Sequence, residues 1–216
     1  MNCDFENKIR GEAQSESDYA RAVQQKGITM TTQARVIHIS AQPLTAEAFA
    51  PFGVILSPEG RKRLPINTYG DKLDLYRESF ETDQPIEWFI AQFRKRDFSA
   101  LFLERHAQLS QTFIPLGGKA FLMVVAAKDA TLENGLPTED QIRAFVVPGD
   151  CAVQLYRSTW HENPFALEAE QTLLVTSHAA LTRGHQQHPD ASLTQLPLDL
   201  ERVWFKEQGL ELHVSI

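Results

Sequence analysis

Two short stretches of this chain concentrate side chains able to move protons or bind a cation. In the first, Glu104, His106, Gln111 and Gly118 follow the spacing Glu-x-His-x4-Gln-x6-Gly. The second, further along, carries the pair Trp160-His161. Carboxylate beside imidazole suits general acid–base work, because imidazole titrates near neutral pH. Glu104, His106 and His161 are also adequate ligands for a divalent metal, with Gln111 as a weak neutral fourth. In an extended strand residues two apart share a face. Glu104 and His106 therefore point together while Arg105 points away, and Gln111, Phe113 and Pro115 share a face of the following strand.

Each of these residues has a plainer reading. A lone strand histidine such as His106 is ordinarily satisfied by a backbone carbonyl; the joint spacing is what points to a site. Trp160 divides evenly between core and substrate wall. Among basic residues, Arg143 opens the otherwise apolar Arg-Ala-Phe-Val-Val, Lys119 follows the Gly-Gly turn and Arg157 precedes Trp160. An Arg fork matches a carboxylate with two parallel bonds; each of these residues singly reads as a surface charge, but Arg143 in an otherwise apolar strand needs a reason. His185 and His188 stand three apart, but with no Cys or second cluster nearby they read as a solvated loop. The sequence holds no Gly-rich phosphate loop, Ser nucleophile elbow or Cys–His pattern.

The elements that must position these groups read mostly as short strands. Expected strands cover residues 35–39, 53–56, 87–94, 101–106, 111–116, 120–127, 141–147, 152–156 and 171–178, with 73–80 extended. Late short strands are expected at 203–205 and 211–216. One helix is expected after Pro43, with Thr45 as its N-cap. Residues 57–65 and 184–198 read as loops, and Gly118 suits the positive φ of a tight hairpin. Many short strands between turn signals indicate a sandwich or a closed barrel. Residues 1–33 are polar and read as a disordered extension or a weak helix over 12–26, leaving 34–216 as one domain.

Composition narrows the function. An apolar fraction of 43% with thirteen Phe is ample for a core. A net charge of −7 without a basic run argues against nucleic acid or an anionic membrane as partner. Two cysteines, Cys3 and Cys151, imply no disulfide framework and fit a reducing cytoplasm. No stretch reaches the roughly eighteen apolar residues of a membrane-spanning helix.

With the strands and motifs set out, the chain resembles the cupins, in which a His stands where this chain has Glu104 and a Glu where it has Gln111. Within that superfamily it resembles the ureidoglycolate lyases. The likeness rests on LERHAQLSQTFIPLGGKAFLMVVA (103–126), IRAFVVPGDCAVQLYRSTWHENPF (142–165) and PLTAEAFAPFGVIL (43–56). It implies a mainly β, cupin-type β-barrel (jelly roll) with one or two short helices. It places Glu104, His106, Gln111, Arg143, Trp160 and His161 on recurrent positions of that family, with Asn67 as its upstream Asn. This chain departs from the family at Tyr156-Arg157, at Glu162-Asn163-Pro164 and at Thr176-Ser177-His178.

The resemblance implies a lyase that cleaves ureidoglycolate to glyoxylate and urea in allantoin catabolism, acting as a cytoplasmic homodimer. A base must take the hydroxyl proton and an acid must protonate departing urea. His106 or His161 suits the base, and Glu104 either orients the imidazole or serves as the acid. Arg143 and Lys119 are expected to clamp the carboxylate and Gln111 to bond the ureido group, with Trp160, Asn67 and Tyr156 around the substrate. A weakly held divalent metal between Glu104, His106 and His161 is left open, and no other cofactor is implied. The rival readings are a metal-dependent cupin amidohydrolase, dioxygenase or isomerase, and a non-catalytic cupin that binds a small carboxylate.

Overall fold

Alternation along one strand decides the architecture. In Phe121–Ala126 every residue is buried, yet its two faces feed two different cores. Phe121, Met123 and Val125 pack with Phe49, Phe113, Phe145 and Leu173. Leu122, Val124 and Ala126 pack instead with Leu103, Trp160, Phe165 and Leu212. A strand covered on both sides reads as an unbroken apolar run, as FLMVVA does. The computed structural model describes residues 34–66, 68–189, 194–196 and 199–216. The expected polar extension over 1–33 and the candidate residue Asn67 lie outside the described residues. Ala34–Ile216 is one compact unit.

The strands in chain order are Arg35–Pro43 (β1), Gly53–Leu56 (β2), Ile86–Arg94 (β3), Ser99–Ala100 (β4), Phe102–His106 (β5), Gln111–Leu116 (β6) and Phe121–Ala126 (β7). They continue with Leu132–Glu133 (β8), Leu136–Pro137 (β9), Arg143–Val147 (β10), Ala152–Leu155 (β11), Trp160–His161 (β12) and Phe165–Ala166 (β13). Glu170–His178 (β14), Leu200–Trp204 (β15) and Leu210–Ser215 (β16) complete the set. One sheet runs β15-β5-β12-β7-β10-β1-β16-β4, with β13 also on β7. The second runs β2-β11-β6-β14-β3, and β8 pairs with β9. The Phe-rich core lies between the two sheets, so the chain is a mainly β barrel as expected.

Helix Ala46–Phe49 (α1) begins where expected, with the Thr45 hydroxyl accepting the Ala48 N–H at 3.2 Å. The hairpin after β6 uses Gly117 at φ 92° and Gly118 at φ 72°, a region costly for side-chain-bearing residues. A Cβ on Gly149 would sit 2.1 Å from the Gly118 carbonyl oxygen, so the two turns meet backbone to backbone.

Residues 73–80, expected as extended, carry one isolated bridge, Tyr76 to Arg63. Two expectations need correction. The expected loop at 184–198 is entered by a second helix, Ala179–Gln187 (α2). Its N-cap is a histidine, His178, not the usual Ser, Thr, Asp or Asn, so its start carries no standard signal. The late strand opens at Leu200, earlier than residue 203, which brings Arg202 into register with β5.

Candidate active site

The site is built on β5 by its two neighbours. His161 of β12 pairs with Glu104 on one side, and Arg202 of β15 pairs with Glu104 on the other. Directly opposite residues in antiparallel strands hold their Cβ atoms about 4.5–5.5 Å apart, so one carboxylate lies between an imidazole and a guanidinium. His106 follows on the same face, as the two-residue period requires. Nε and Nη2 of Arg202 both donate to Oε2 of Glu104, at 2.8 and 2.5 Å. The other oxygen, Oε1, lies 3.8 Å from His106 Nε2 and 3.7 Å from His161 Nε2.

The outer nitrogens of the two imidazoles are engaged. His161 Nδ1 lies 3.0 Å from the Thr159 carbonyl oxygen. A carbonyl only accepts, so Nδ1 carries the hydrogen and Nε2 keeps a lone pair. His106 Nδ1 lies 3.4 Å from Oδ2 of Asp199. Asp199 in turn accepts from the Gln108 N–H at 3.0 Å and from His178 Nε2 at 2.8 Å. The chain of contacts is therefore His178–Asp199–His106–Glu104–Arg202, with His161 beside Glu104.

Burial and charge act differently on each member. Burial alone would raise the Glu104 carboxyl, but His106, Arg202 and His161 hold it far below the usual carboxylate range. Burial disfavours a charged His106, yet the hydrogen bond to Asp199 and the Glu104 carboxylate raise it to about 9. His161 has no second carboxylate: burial, with the His106 charge adding to it, depresses it to about 4 against the pull of Glu104. Asp199, raised by burial, is brought down to about 2 by His106, the Gln108 N–H and His178. At neutral pH the pair is a charged His106 beside a neutral His161, the separation of acid and base that proton-transfer chemistry uses.

Glu104, His106 and Arg202 open into a cavity of about 100 Å³ between the two sheets, with His161 behind Glu104. Glu104, His106, Gln111, Phe113, Asn163, His185 and Arg202 line it, along with apolar side chains of β3, β14 and α2. Pockets for drug-sized ligands run to about 300–1,000 Å³, so this one suits a molecule of few atoms. Larger surface grooves of about 630 and 530 Å³ lie elsewhere, and neither is lined by histidine.

Of the residues singled out from the sequence, Glu104, His106, His161 and Gln111 are brought together; four others are placed elsewhere. Trp160 precedes His161 in β12, so it points to the opposite face; it is fully buried in the outer core, with the Arg105 guanidinium over its ring. Arg143 is exposed at the start of β10, donating to the carbonyls of Asp140 and Ile142. Lys119 is tied to Glu168 and to the Glu170 carbonyl beyond the hairpin. Tyr156 lies at the surface beside Arg61. The cation that does reach the cavity is Arg202, which went unread together with Asp199, while His185, read as part of a solvated loop, stands on α2 and lines the cavity. The alternation Leu200-x-Arg202-x-Trp204 is the signal that would have found Arg202.

The donor set fits a divalent metal. Glu104, His106 and His161 each offer a ligand atom, all within 4.8 Å of one another. Both Nδ1 atoms are engaged by an acceptor, an arrangement that aims the Nε2 atoms inward. His106 Nε2 and Gln111 Oε1 are buried without a hydrogen-bond partner among the described residues.

A β-barrel of two facing sheets, with this Glu–His–His cluster on the inner face of adjacent strands, is a cupin-type fold carrying a small-molecule site. The pattern of the ureidoglycolate lyase family matches residues 36–211. A ureidoglycolate lyase of Brucella melitensis biotype 2 is 36% identical over 146 residues, 65% of this chain and 83% of the relative. One of Pseudomonas paraeruginosa is 32% identical over 166 residues, 74% of this chain and 95% of the relative. Another, of Pseudomonas savastanoi pv. phaseolicola, is 35% identical over 164 residues, 73% of this chain and 93% of the relative. The chain belongs to the ureidoglycolate lyase family.

Proposed function

We propose that this chain cleaves ureidoglycolate to glyoxylate and urea, by proton transfer at His106 and His161 held by Glu104, in purine catabolism. The observation that carries the reading, beside family membership, is the neutral His161 set next to a charged His106 across one shared carboxylate. Nε2 of His161 takes the hydroxyl proton of the substrate. The oxygen's electrons form the carbonyl of glyoxylate as the carbon–nitrogen bond breaks. The proton on His106 goes to the departing urea nitrogen. Glu104 is ionised, so it serves to hold the two imidazoles and not as the acid. Arg202 is the cation of the site and is held to Glu104, whereas Arg143 and Lys119, first read as the carboxylate clamp, bond elsewhere; Gln111 Oε1 accepts from the ureido group.

A second reading uses the same atoms otherwise. Glu104, His106 and His161 would hold a divalent metal, which when bound supplies Lewis-acid polarisation of an oxygen. Its support is the inward, partnerless Nε2 of His106. In either form Gln111 orients the ureido group, and the apolar walls from Phe89, Phe93 and Phe113 keep water from the reacting carbon.

A homodimer in the cytoplasm belongs to the same proposal. β3 is an edge strand whose outward residues Ile86, Trp88 and Ile90 are exposed, and such apolar edges mark association sites. Among the described residues no helix is long and apolar enough to cross a membrane. The deciding experiment is to assay urea and glyoxylate from racemic ureidoglycolate, with and without chelator, for wild type, H106A and H161A. Equimolar urea and glyoxylate from wild type, with loss in both variants, is the expected result. Ammonia in place of urea, or undiminished release in both variants, would overturn the reading.

A further inference from the structure

His185 stands four residues after Leu181 in α2, so the two side chains lie on one helix face. Both line the cavity, whereas His188 is exposed at the helix end. The helix is anchored at its first turn. The ring of His178 accepts the Leu181 N–H at 3.3 Å on one side and reaches Asp199 at 2.8 Å on the other. The Thr182 hydroxyl donates to Glu87 of β3. Gly184, just before His185, is buried, which lets the helix backbone pack closely there. His185 itself is half-buried and feels the charges of Glu104, Arg202 and His106.

The cavity's polar groups divide by what they can take. Glu104 and Gln111 Oε1 are acceptors, as is His161 Nε2 beside Glu104, and a substrate carboxylate has nothing to gain from them. The donors are Arg202, His106, His185, the Gln111 amide, which the ureido group engages, and, at the exposed rim, Asn163. Arg202 already holds Glu104, and His106 faces Asp199 and Glu104 with its two nitrogens. His185 makes no hydrogen bond among the described residues.

We propose that His185 holds the carboxylate of the substrate at the cavity mouth and so sets the site's preference for an anion. This rests on the reading of the cavity as one that cleaves a ureido acid. A neutral imidazole still donates one N–H, so the role does not depend on His185 being charged. Placement on α2, outside both sheets, makes His185 a specificity residue on a separate element from the proton-transfer pair.

The test compares H185L, which removes the donor, with H185N, which keeps an N–H. Urea release is measured from ureidoglycolate and from its carboxamide, which has the same shape without the charge. Losing a hydrogen bond to a charged group should raise KM for the acid in H185L on the order of tenfold or more. The carboxamide should lose far less, so the wild-type preference for the acid shrinks, and H185N should recover part of it. An unchanged KM in H185L, or equal losses for acid and amide, overturns the proposal. If wild type releases no urea, it is the lyase reading that fails. Calorimetry with glyoxylate then decides the role of His185: on the order of tenfold weaker binding in H185L supports it, and equal binding overturns it.

Discussion

Replacing Asp199 by Asn tests the electrostatic account of the site most directly. Asp199 is buried and faces His106 Nδ1 at 3.4 Å. Lifting the imidazole from 6.5 to about 9 corresponds to roughly 3 kcal/mol in favour of its charged form. Two carboxylates supply that against burial, the hydrogen bond to Asp199 being the largest single favourable contribution. The sign follows from a raised histidine. Its stabilisation is complete below the unfolded value of 6.5 and is lost as pH rises through about 9. The lowered Asp199 bounds the other side, its contribution being lost as pH falls through about 2. In D199N the Asn oxygen keeps the shape without the charge. Metal-free D199N should therefore lose roughly 2 kcal/mol relative to wild type at about pH 6, and much less at about pH 10. Urea unfolding at both pH values gives the comparison, and NMR titration of the His106 ring gives the cause. The difference between the two pH values is the quantity read, because Asp199 also serves His178 and the Gln108 N–H at all pH. An identical loss at both pH values, or a His106 ring that still titrates as in wild type, would refute the account.

Three further predictions concern the charges of the His pair and two side chains placed away from it. At about pH 7.5 His106 carries a proton and His161 does not, so a divalent cation taken up by Glu104, His106 and His161 should release about one proton. Calorimetry in buffers of different ionisation enthalpy reads that proton, and uptake with no release would contradict the charge assignment. R143A should leave KM for ureidoglycolate unchanged, because Arg143 binds backbone carbonyls at the barrel surface. W160F should lower the melting temperature by a few degrees for a loss of about 1–2 kcal/mol, with KM again unchanged; a raised KM in either variant would place that side chain at the substrate.

The strand pattern and the position of the first helix were legible because they are local. A period of two over FLERH and QTFIPL fixes which side chains share a face, and Thr45 before an apolar turn fixes a cap. The same rule puts His161 and Trp160 on opposite faces of β12, so only the first faces Glu104 and His106. The alternation around Arg202 marks its face, but its pairing with Glu104 and the role of Asp199 were not legible, since both arise from β15 lying beside β5, a pairing that spans nearly half the chain. The entry to α2 was hidden by its histidine cap.

By itself the sequence determined the donor types, Glu104, His106, Gln111 and His161, and the β framework that turns them inward. Only the tertiary structure decided their charge. Glu104 and Asp199 flank His106 and keep it protonated, while His161, buried against one shared carboxylate and a carbonyl, stays neutral. The physical reason is that an imidazole's pKa depends on the charges a few ångströms away and on the water excluded around it. Both are set by strands distant in sequence and adjacent in the barrel.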